Sequence, residues 1–238
     1  MSKVIGIIGG NGVAATNKLQ ELIEIELTKN GAFRDCHHPE MIIWQATQAP
    51  SRSMYLEGRG ESFIDDYVKI AKHLKNCGVN KICMCCNTAH YAIDEISQKS
   101  GVEFINIIEG VAKKVKKLGI KKVGLCASDG CYITKIYNKY FDQICPDVEI
   151  IYPDEVHQKL VTKGICNTKN QYRFENEQSS ERPKNIFTKL KTYMKTLGAE
   201  KVIMGCTDIR VDYYDKENID SLEVLKEMII EEIGENNE

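Results

Sequence analysis

The feature that most constrains the fold of this 238-residue chain is a sequence segment that occurs twice. The segments Gly78-Val-Asn-Lys-Ile-Cys-Met-Cys-Cys86 and Gly198-Ala-Glu-Lys-Val-Ile-Met-Gly-Cys206 share Gly, Lys, Met and Cys at one constant offset (206 − 86 = 120). A second pair, Val4–Gly12 and Lys122–Gly130, repeats two glycines at nearly the same offset (130 − 12 = 118). Two regions repeated at one spacing predict two similar halves, each with a cysteine at the end of a strand.

Short apolar runs alternate with segments of helical period along both halves. This alternation predicts an α/β fold with parallel sheets that helices cover on both faces. The predicted strands are 4–8, 41–46, 81–86, 103–106, 122–126, 148–151 and 201–204. The predicted helices are 14–29, 62–76, 88–99, 107–118, 129–141, 155–163, 186–197 and 221–233, with a loop at 47–60 and a polar surface excursion at 167–184.

The composition excludes several classes of protein. Charged residues make up 28% of the chain, hydrophobic residues 42%, and the net charge is −2, so neither a nucleic acid nor a membrane is an expected partner. No apolar run approaches the roughly 18 residues that span a bilayer, and the first residues lack the features of a signal peptide. We therefore expect a cytoplasmic protein.

Ten cysteines in such a chain predict reduced thiols rather than a disulfide framework. We interpret eight of them as packing or incidental, since several lie in or beside apolar stretches, namely Cys77, Cys83, Cys85 and Cys126. In Cys83-x-x-Cys86 the two side chains would point to opposite faces of a strand, so neither a metal site nor a redox pair is expected.

Cys86 and Cys206 are the exceptions, because both halves keep them. Each falls at a predicted carboxyl end of a strand, where ligands of parallel sheets bind. Thr88, or Thr207 with Asp208, follows as a natural N-cap of the next helix, and the helix dipole would lower the thiol pKa. Two such thiols on either side of a substrate could remove a proton from one face of a carbon and return it to the other. The alternative interpretation is two buried structural cysteines.

Other candidates are less specific. The turn Gly9–Gly12 lacks both the dinucleotide fingerprint and a P-loop lysine, so its amides are predicted to face a carboxylate, and Ser128 would do the same from the second half. Arg52 either is solvated or grips a carboxylate, and Lys163 either serves its helix end or binds substrate. His90 either positions the thiol of Cys86 or packs.

Together these residues resemble the aspartate/glutamate racemase family of cofactor-independent amino-acid racemases. The resemblance rests on three segments: Gly9-Gly10-Asn11-Gly12-Val13-Ala-Ala15-Thr16, Cys86-Asn87-Thr88-Ala89-His90 and Gly205-Cys206-Thr207-Asp208. The loop Pro50-Ser-Arg52-Ser is similar to the family's substrate-carboxylate arginine, and Asp220-Ser221 before the last helix also fits. The chain departs from the family pattern at Asn11, Val13, Ser128, Cys131 and Asp208.

The resemblance implies two pseudo-symmetric domains, each with a mostly parallel four-stranded sheet flanked by helices, and an active site in the cleft between them. The implied domains are 1–108 with 210–238, and 109–209. A homodimer is implied as well. The implied catalytic residues are Cys86 and Cys206, and His90 and Asp208 would support them. The implied substrate-binding residues are Gly10, Asn11, Arg52, Asn87, Thr88, Ser128, Lys163 and Thr207.

The predicted function is racemisation of aspartate or glutamate by a cysteine thiolate/thiol pair without cofactor or metal. Two alternatives stay open: a racemase, isomerase or decarboxylase of the same superfamily acting on another small carboxylate, and a non-catalytic protein that binds an amino acid.

Overall fold

The computed structural model describes residues 4–234. The first half contains β1 (Ile5–Gly9), α1 (Val13–Lys29), β2 (Met41–Gln45), α2 (Arg52–Leu56), α3 (Ile64–Asn76), β3 (Lys81–Met84), α4 (Ile93–Ser100), β4 (Glu103–Ile105) and α5 (Ile107–Lys117). The second half contains β5 (Lys122–Ala127), α6 (Asp129–Thr134), α7 (Ile136–Ile144), β6 (Glu149–Ile151), α8 (Glu155–Asn167), α9 (Pro183–Thr196), β7 (Lys201–Gly205), β8 (Ile219–Asp220) and α10 (Ser221–Gly234). Short 3₁₀ helices lie at Asp35–His37, Thr88–Ala92, Gln171–Phe174 and Thr207–Val211.

The strands form two four-stranded sheets with the same order of equivalent strands, β2-β1-β3-β4 and β6-β5-β7-β8. Every pairing is parallel. The predicted α/β class and the predicted internal duplication are therefore confirmed.

The central strands alternate between two cores. Ile5, Ile7, Cys83 and Cys85 of the first sheet join Val123, Leu125 and Ile203 of the second sheet in one buried cluster, together with side chains of α1, α5, α7 and α10. The intervening residues pack outward, Ile82 and Met84 against α3 and α4, and Val202 and Met204 against the α8–α9 side. This two-residue period is the one expected of strands buried on both faces. The shared core joins both halves into one unit.

The domain boundaries remain a prediction. Within the range 210–238, β8 pairs with β7 of the second sheet, whereas α10 packs mainly against α5 and α1. The sequence pattern missed β8, because a two-residue strand is too short to show a period.

Several predicted elements need correction. The predicted loop 47–60 contains α2, whose N-cap Ser51 accepts a hydrogen bond from the Met54 amide. The predicted helix 129–141 is two helices, since Lys135 adopts a left-handed φ of 50° between them. The predicted helix 88–99 begins as a 3₁₀ helix before α4.

The buried cysteines behave as the sequence predicts, with one exception. Cys83, Cys85 and Cys126 are fully buried, and burial raises the pKa of Cys83 and of Cys126 to about 12. Cys77 is exposed, because it caps the end of α3 outside the apolar face. Within residues 4–234, no helix is both long enough and apolar enough to cross a bilayer.

Candidate active site

A cavity of about 250 Å³ lies between the two halves. Of the residues predicted from the sequence, the first half contributes Asn11, Arg52, Cys86 and Thr88 to its wall. The second half contributes Ser128, Cys206, Thr207 and Asp208. The volume is below the range typical of pockets for drug-sized ligands, which suits a ligand the size of one amino acid.

The two cysteines reach this cavity from equivalent strands. Cys86 follows the end of β3 by two residues, and Cys206 directly follows β7. Cys83, the other half of the Cys-x-x-Cys pattern, points into the shared core instead. No group of three or more His, Cys, Asp or Glu residues within 4–234 is arranged to hold a metal ion.

The predicted helix caps after the cysteines are wrong. Both cysteines lead into five-residue 3₁₀ helices that have no side-chain cap. Thr88 Oγ1 lies 2.7 Å from Ser128 Oγ, and Thr207 Oγ1 donates to the carbonyl of Cys85 at 3.0 Å. Both threonines therefore tie one half to the other rather than capping a helix.

The pKa of the Cys206 thiol is raised, whereas the sequence predicted that a helix dipole would lower it. Burial raises its pKa well above the usual range, and the nearby carboxylate of Asp208 raises it further, while Lys169 opposes this. A short 3₁₀ helix offers too small a dipole to offset this desolvation. Cys206 is thus held as a thiol in the absence of ligand.

Arg52 is the first residue of α2 and lies against the cavity. Its guanidinium donates to the carbonyls of Pro50 at 3.1 Å and Asn11 at 3.3 Å. Its Nε is buried with no hydrogen-bond partner, and it forms no ion pair within the described range. Desolvation lowers the pKa of Arg52, but the interactions with Cys86, Tyr67 and Asp208 together outweigh it and the pKa is raised. A cation that lacks a carboxylate partner stands beside Cys86.

A second cation on the wall is one that sequence reasoning missed. Lys169 Nζ lies 2.8 Å from Asp208 Oδ2, and Cys206 Sγ lies 3.9 Å from the same oxygen. Desolvation lowers the pKa of Lys169, but the interactions with Asp208, Cys206 and Cys86 together outweigh it and the pKa is raised. Lys163, the predicted lysine, pairs with Glu181 at 2.7 Å and does not line the cavity.

The glycine turn does not offer the amide that was predicted. Gly10 N–H donates to Thr16 Oγ1 at 3.1 Å, so it is already used. Gly10 has a φ of +77°, and a Cβ there would lie 2.6 Å from the Ala46 nitrogen, so its role in the structure is steric. It lines an adjacent cavity and not the one that holds the cysteines.

Asn11 beside it is buried and donates from Nδ2 to the hydroxyl of Tyr67 at 2.9 Å. Its Oδ1 is buried and has no partner among residues 4–234. An unpartnered buried acceptor is costly unless a ligand or water reaches it. Asn11 therefore supplies a polar atom that a ligand could satisfy.

Two predicted residues lie behind the cavity. Asn87 is buried, donates to Ser221 Oγ at 3.0 Å and accepts from the Tyr137 hydroxyl at 2.9 Å. His90 is buried with Nδ1 2.8 Å from the Cys86 carbonyl, and its Nε2 accepts from the Ile107 amide at 3.2 Å. Both side chains are fully engaged in holding the strand end that carries Cys86.

The sequence of the whole region matches a known family. The model of the Asp/Glu/hydantoin racemase family covers residues 5–225. The chain belongs to this family. The resemblance predicted from the two cysteine segments is therefore confirmed, and it assigns the chain to a family of isomerases.

Individual relatives agree with this assignment. A segment of 108 residues is 30% identical to the broad specificity amino-acid racemase RacX of Bacillus subtilis, which is 44% of this chain and about half (46%) of that protein. The fold is similar to that of Picrophilus torridus aspartate racemase, with a TM-score of 0.82, 25% identity, and coverage of 98% of this chain and 94% of that one. It is also similar to glutamate racemase of Francisella tularensis, with a TM-score of 0.62, 16% identity, and coverage of 99% and 82%.

Proposed function

We propose that the protein racemises a small α-amino acid without a cofactor, using Cys86 and Cys206 as the two proton-transfer groups. The observation that carries the proposal is that both cysteines, at equivalent strand ends of the two halves, line one cavity. A carbon placed between them would meet a thiol from each half.

In one direction, the thiolate of Cys86 takes the Cα proton and becomes a thiol. The thiol of Cys206 then gives its proton to the opposite face of the carbanion and becomes a thiolate. The number of protons is conserved, and in the reverse direction the two cysteines exchange roles. The raised pKa of Cys206 makes it the proton donor of the free enzyme.

Arg52 is proposed to bind the substrate α-carboxylate. Its guanidinium is anchored by two backbone carbonyls, so its direction is fixed before a ligand arrives. Removal of the Cα proton places negative charge on the carboxylate, and a preorganised cation stabilises that charge. The same cation lies beside Cys86, the proposed proton acceptor.

We infer that the substrate is acidic, aspartate or glutamate. The side-chain carboxylate would bind Lys169, which would keep Asp208 as its other partner. Aspartate and glutamate racemases among the structural neighbours support this choice, whereas the broad-specificity relative favours a wider range of amino acids. A homodimer is proposed from the family resemblance alone, and the cytoplasmic location stays a prediction from the sequence.

The test is proton NMR of the purified chain with L-aspartate, and separately L-glutamate, in D₂O, combined with polarimetry. We expect loss of the α-proton signal and decay of rotation to zero for the preferred substrate. Replacing Cys86 or Cys206 by Ala should lower the rate at least about 100-fold, as removal of a general acid or base does. Cys77→Ser is the matched control, because Cys77 is exposed and lies outside the cavity.

Full activity in either alanine variant would contradict the two-thiol scheme. Exchange of the α-proton without loss of rotation would mean that the proton is removed and returned on only one face of Cα. Tight binding without exchange would identify a non-catalytic amino-acid-binding protein.

A further inference from the structure

The charged side chains on the cavity wall are mostly paired with one another. Two ion pairs account for four of them, Lys169 with Asp208 and Arg59 with Glu57. Two charges remain, the guanidinium of Arg52 and the carboxylate of Asp129, and neither forms an ion pair with any residue in 4–234. The cavity therefore presents one uncompensated cation and one uncompensated anion, which is the complement of a zwitterion.

Asp129 is held rigidly on this wall. It is the first residue of α6, and its Oδ1 accepts from Gln158 Nε2 at 2.8 Å and from Thr162 Oγ1 at 2.7 Å. Gln158 is itself 6% exposed and also donates to the carbonyl of Ala127, so the support is buried and fixed. No hydrogen bond within the described chain reaches Asp129 Oδ2, and the residue lines the cavity.

The internal duplication makes Asp129 the equivalent of Asn11 in the first half. Asp129 precedes Gly130 as Asn11 precedes Gly12, at the same offset of 118 (129 − 11). The two halves therefore place an oxygen acceptor at equivalent points of the cavity, Asn11 Oδ1 and the Asp129 carboxylate. Only the second of these carries a charge.

We propose that Asp129 binds the α-ammonium group of the substrate. This inference rests on the proposed function, in that it assumes an amino-acid substrate in this cavity. Asp129 is a better partner for the ammonium group than Asp208, because Lys169 already neutralises Asp208. It is also a better partner than Asn11, because a charged acceptor binds an ammonium group more strongly than a neutral one. Arg52 and Asp129 together orient both charged groups on Cα.

The contact between Asp129 and the ammonium group would also favour removal of the Cα proton. A carboxylate beside an amine favours its protonated form. An ammonium group withdraws electrons from Cα more strongly than a neutral amine, so the Cα proton becomes easier to remove. Asp129 thus holds the substrate in the protonation state that the two thiols require.

The experiment compares two ligands that differ by the ammonium group. L-Aspartate and succinate are titrated by calorimetry into the wild-type chain and Asp129→Asn, and L-glutamate and glutarate serve as a second pair. Asparagine keeps the shape and can still accept from Gln158 and Thr162, so the variant should fold, which thermal unfolding checks. We expect the variant to bind the amino acid at least about tenfold more weakly, as loss of a charged hydrogen bond does, with no weakening of the dicarboxylate.

Glu57→Gln is the control, because it removes one negative charge from the same wall at a carboxylate that already has Arg59 as partner. It should leave the ratio of the two dissociation constants unchanged. Equal weakening of both ligands by Asp129→Asn, or unchanged binding of the amino acid, would overturn the inference.

Calorimetry separates this result from the fate of the proposed function. Interconversion of enantiomers has no net heat, so binding is measured whether or not racemisation occurs. Selective weakening in a chain that does not racemise would support the role of Asp129 and contradict the two-thiol activity. A wild-type chain that binds neither amino acid would overturn both.

Discussion

At the scale of single residues, Arg52 gives the sharpest prediction, because it is the cavity cation without a carboxylate partner in residues 4–234. Arg52→Gln should raise KM at least about tenfold, since a charged hydrogen bond to the substrate carboxylate is lost. Arg52→Lys should recover only part of the loss, because an ammonium group cannot keep both backbone contacts and also bind a carboxylate in a bidentate way. Steady-state racemisation followed by circular dichroism measures both variants.

Arg59→Gln is the comparison for that experiment, since Arg59 lines the same cavity but is already bound to Glu57. Its KM should change much less. An unchanged KM in Arg52→Gln would show that the substrate carboxylate binds elsewhere.

The residues of the site were predictable to different degrees for a physical reason. Cys86 and Cys206 could be found because duplication repeats them at one spacing. Lys169 could not, since it follows α8 within a polar stretch that has no period and several other lysines and arginines. Lys163 lies within α8 and Lys169 follows its end, so the choice between them depends on which one faces the cavity, and only the folded chain determines that.

At the scale of elements, His90 links the end of β3 to the start of α5 through its two ring nitrogens. Nε2 accepts from the Ile107 amide, so protonation there would break that bond, and burial lowers the pKa of His90 to about 4. The folded state then binds fewer protons than the unfolded state between pH 4 and the ordinary histidine pKa of about 6.5. Stability from this group is present above about pH 6.5 and lost as pH falls through 4.

The prediction is that the contribution of His90 to the free energy of unfolding changes by about 3 kcal/mol. The pKa falls from 6.5 to about 4 on folding, and each pKa unit corresponds to 1.36 kcal/mol. The free energy of unfolding of wild type minus that of His90→Gln should shrink by this amount between pH 7 and pH 4. Urea unfolding at several pH values measures it. A difference that does not depend on pH would show that His90 is protonated equally in both states.

The difference between variants is needed because Asp220 acts in the opposite sense. Burial raises the pKa of Asp220 to about 6, although Arg210 at 2.8 Å lowers it. Its contribution to stability is present below the ordinary carboxyl pKa and lost as pH rises through 6. In the wild type alone the two contributions partly cancel. Arg210 occupies the position equivalent to His90 in the second half, at the offset of 120. The two halves therefore use different side chains at this position, a neutral histidine in the first and an ion-paired arginine in the second.

The elements themselves were predictable wherever a period could develop. The central strands were predicted to within two residues of their observed ends, because fully buried strands read as apolar runs. The break at Lys135 and the 3₁₀ helix before α4 were not predicted, because the helical period of the sequence continues across both positions.

At the scale of the whole molecule, the two halves meet through glycines at equivalent positions. A Cβ on Gly12 would lie 2.1 Å from Asp208 Oδ1, and a Cβ on Gly130 would lie 2.8 Å from Thr88 Cγ2. Thr88 and Asp208 stand two residues after the two cysteines. Each glycine thus lets the turn of one half approach the cysteine segment of the other, and this approach sets the width of the cavity.

Gly130→Ala tests that arrangement. The backbone of Gly130 needs no positive φ, so the added methyl group acts only through its contacts with Thr88, Leu56 and Ser53. Buried Thr88 cannot move freely, and such overpacking costs about 1–3 kcal/mol. We expect a lower free energy of unfolding and a kcat/KM that falls at least about tenfold, since sub-ångström displacement of proton-transfer groups is costly. Gly234→Ala, where a Cβ would meet nothing within 4 Å, should change neither quantity. A Gly130→Ala chain that is destabilised but fully active would show that the halves can separate slightly without misplacing the thiols, and that the close approach serves folding alone.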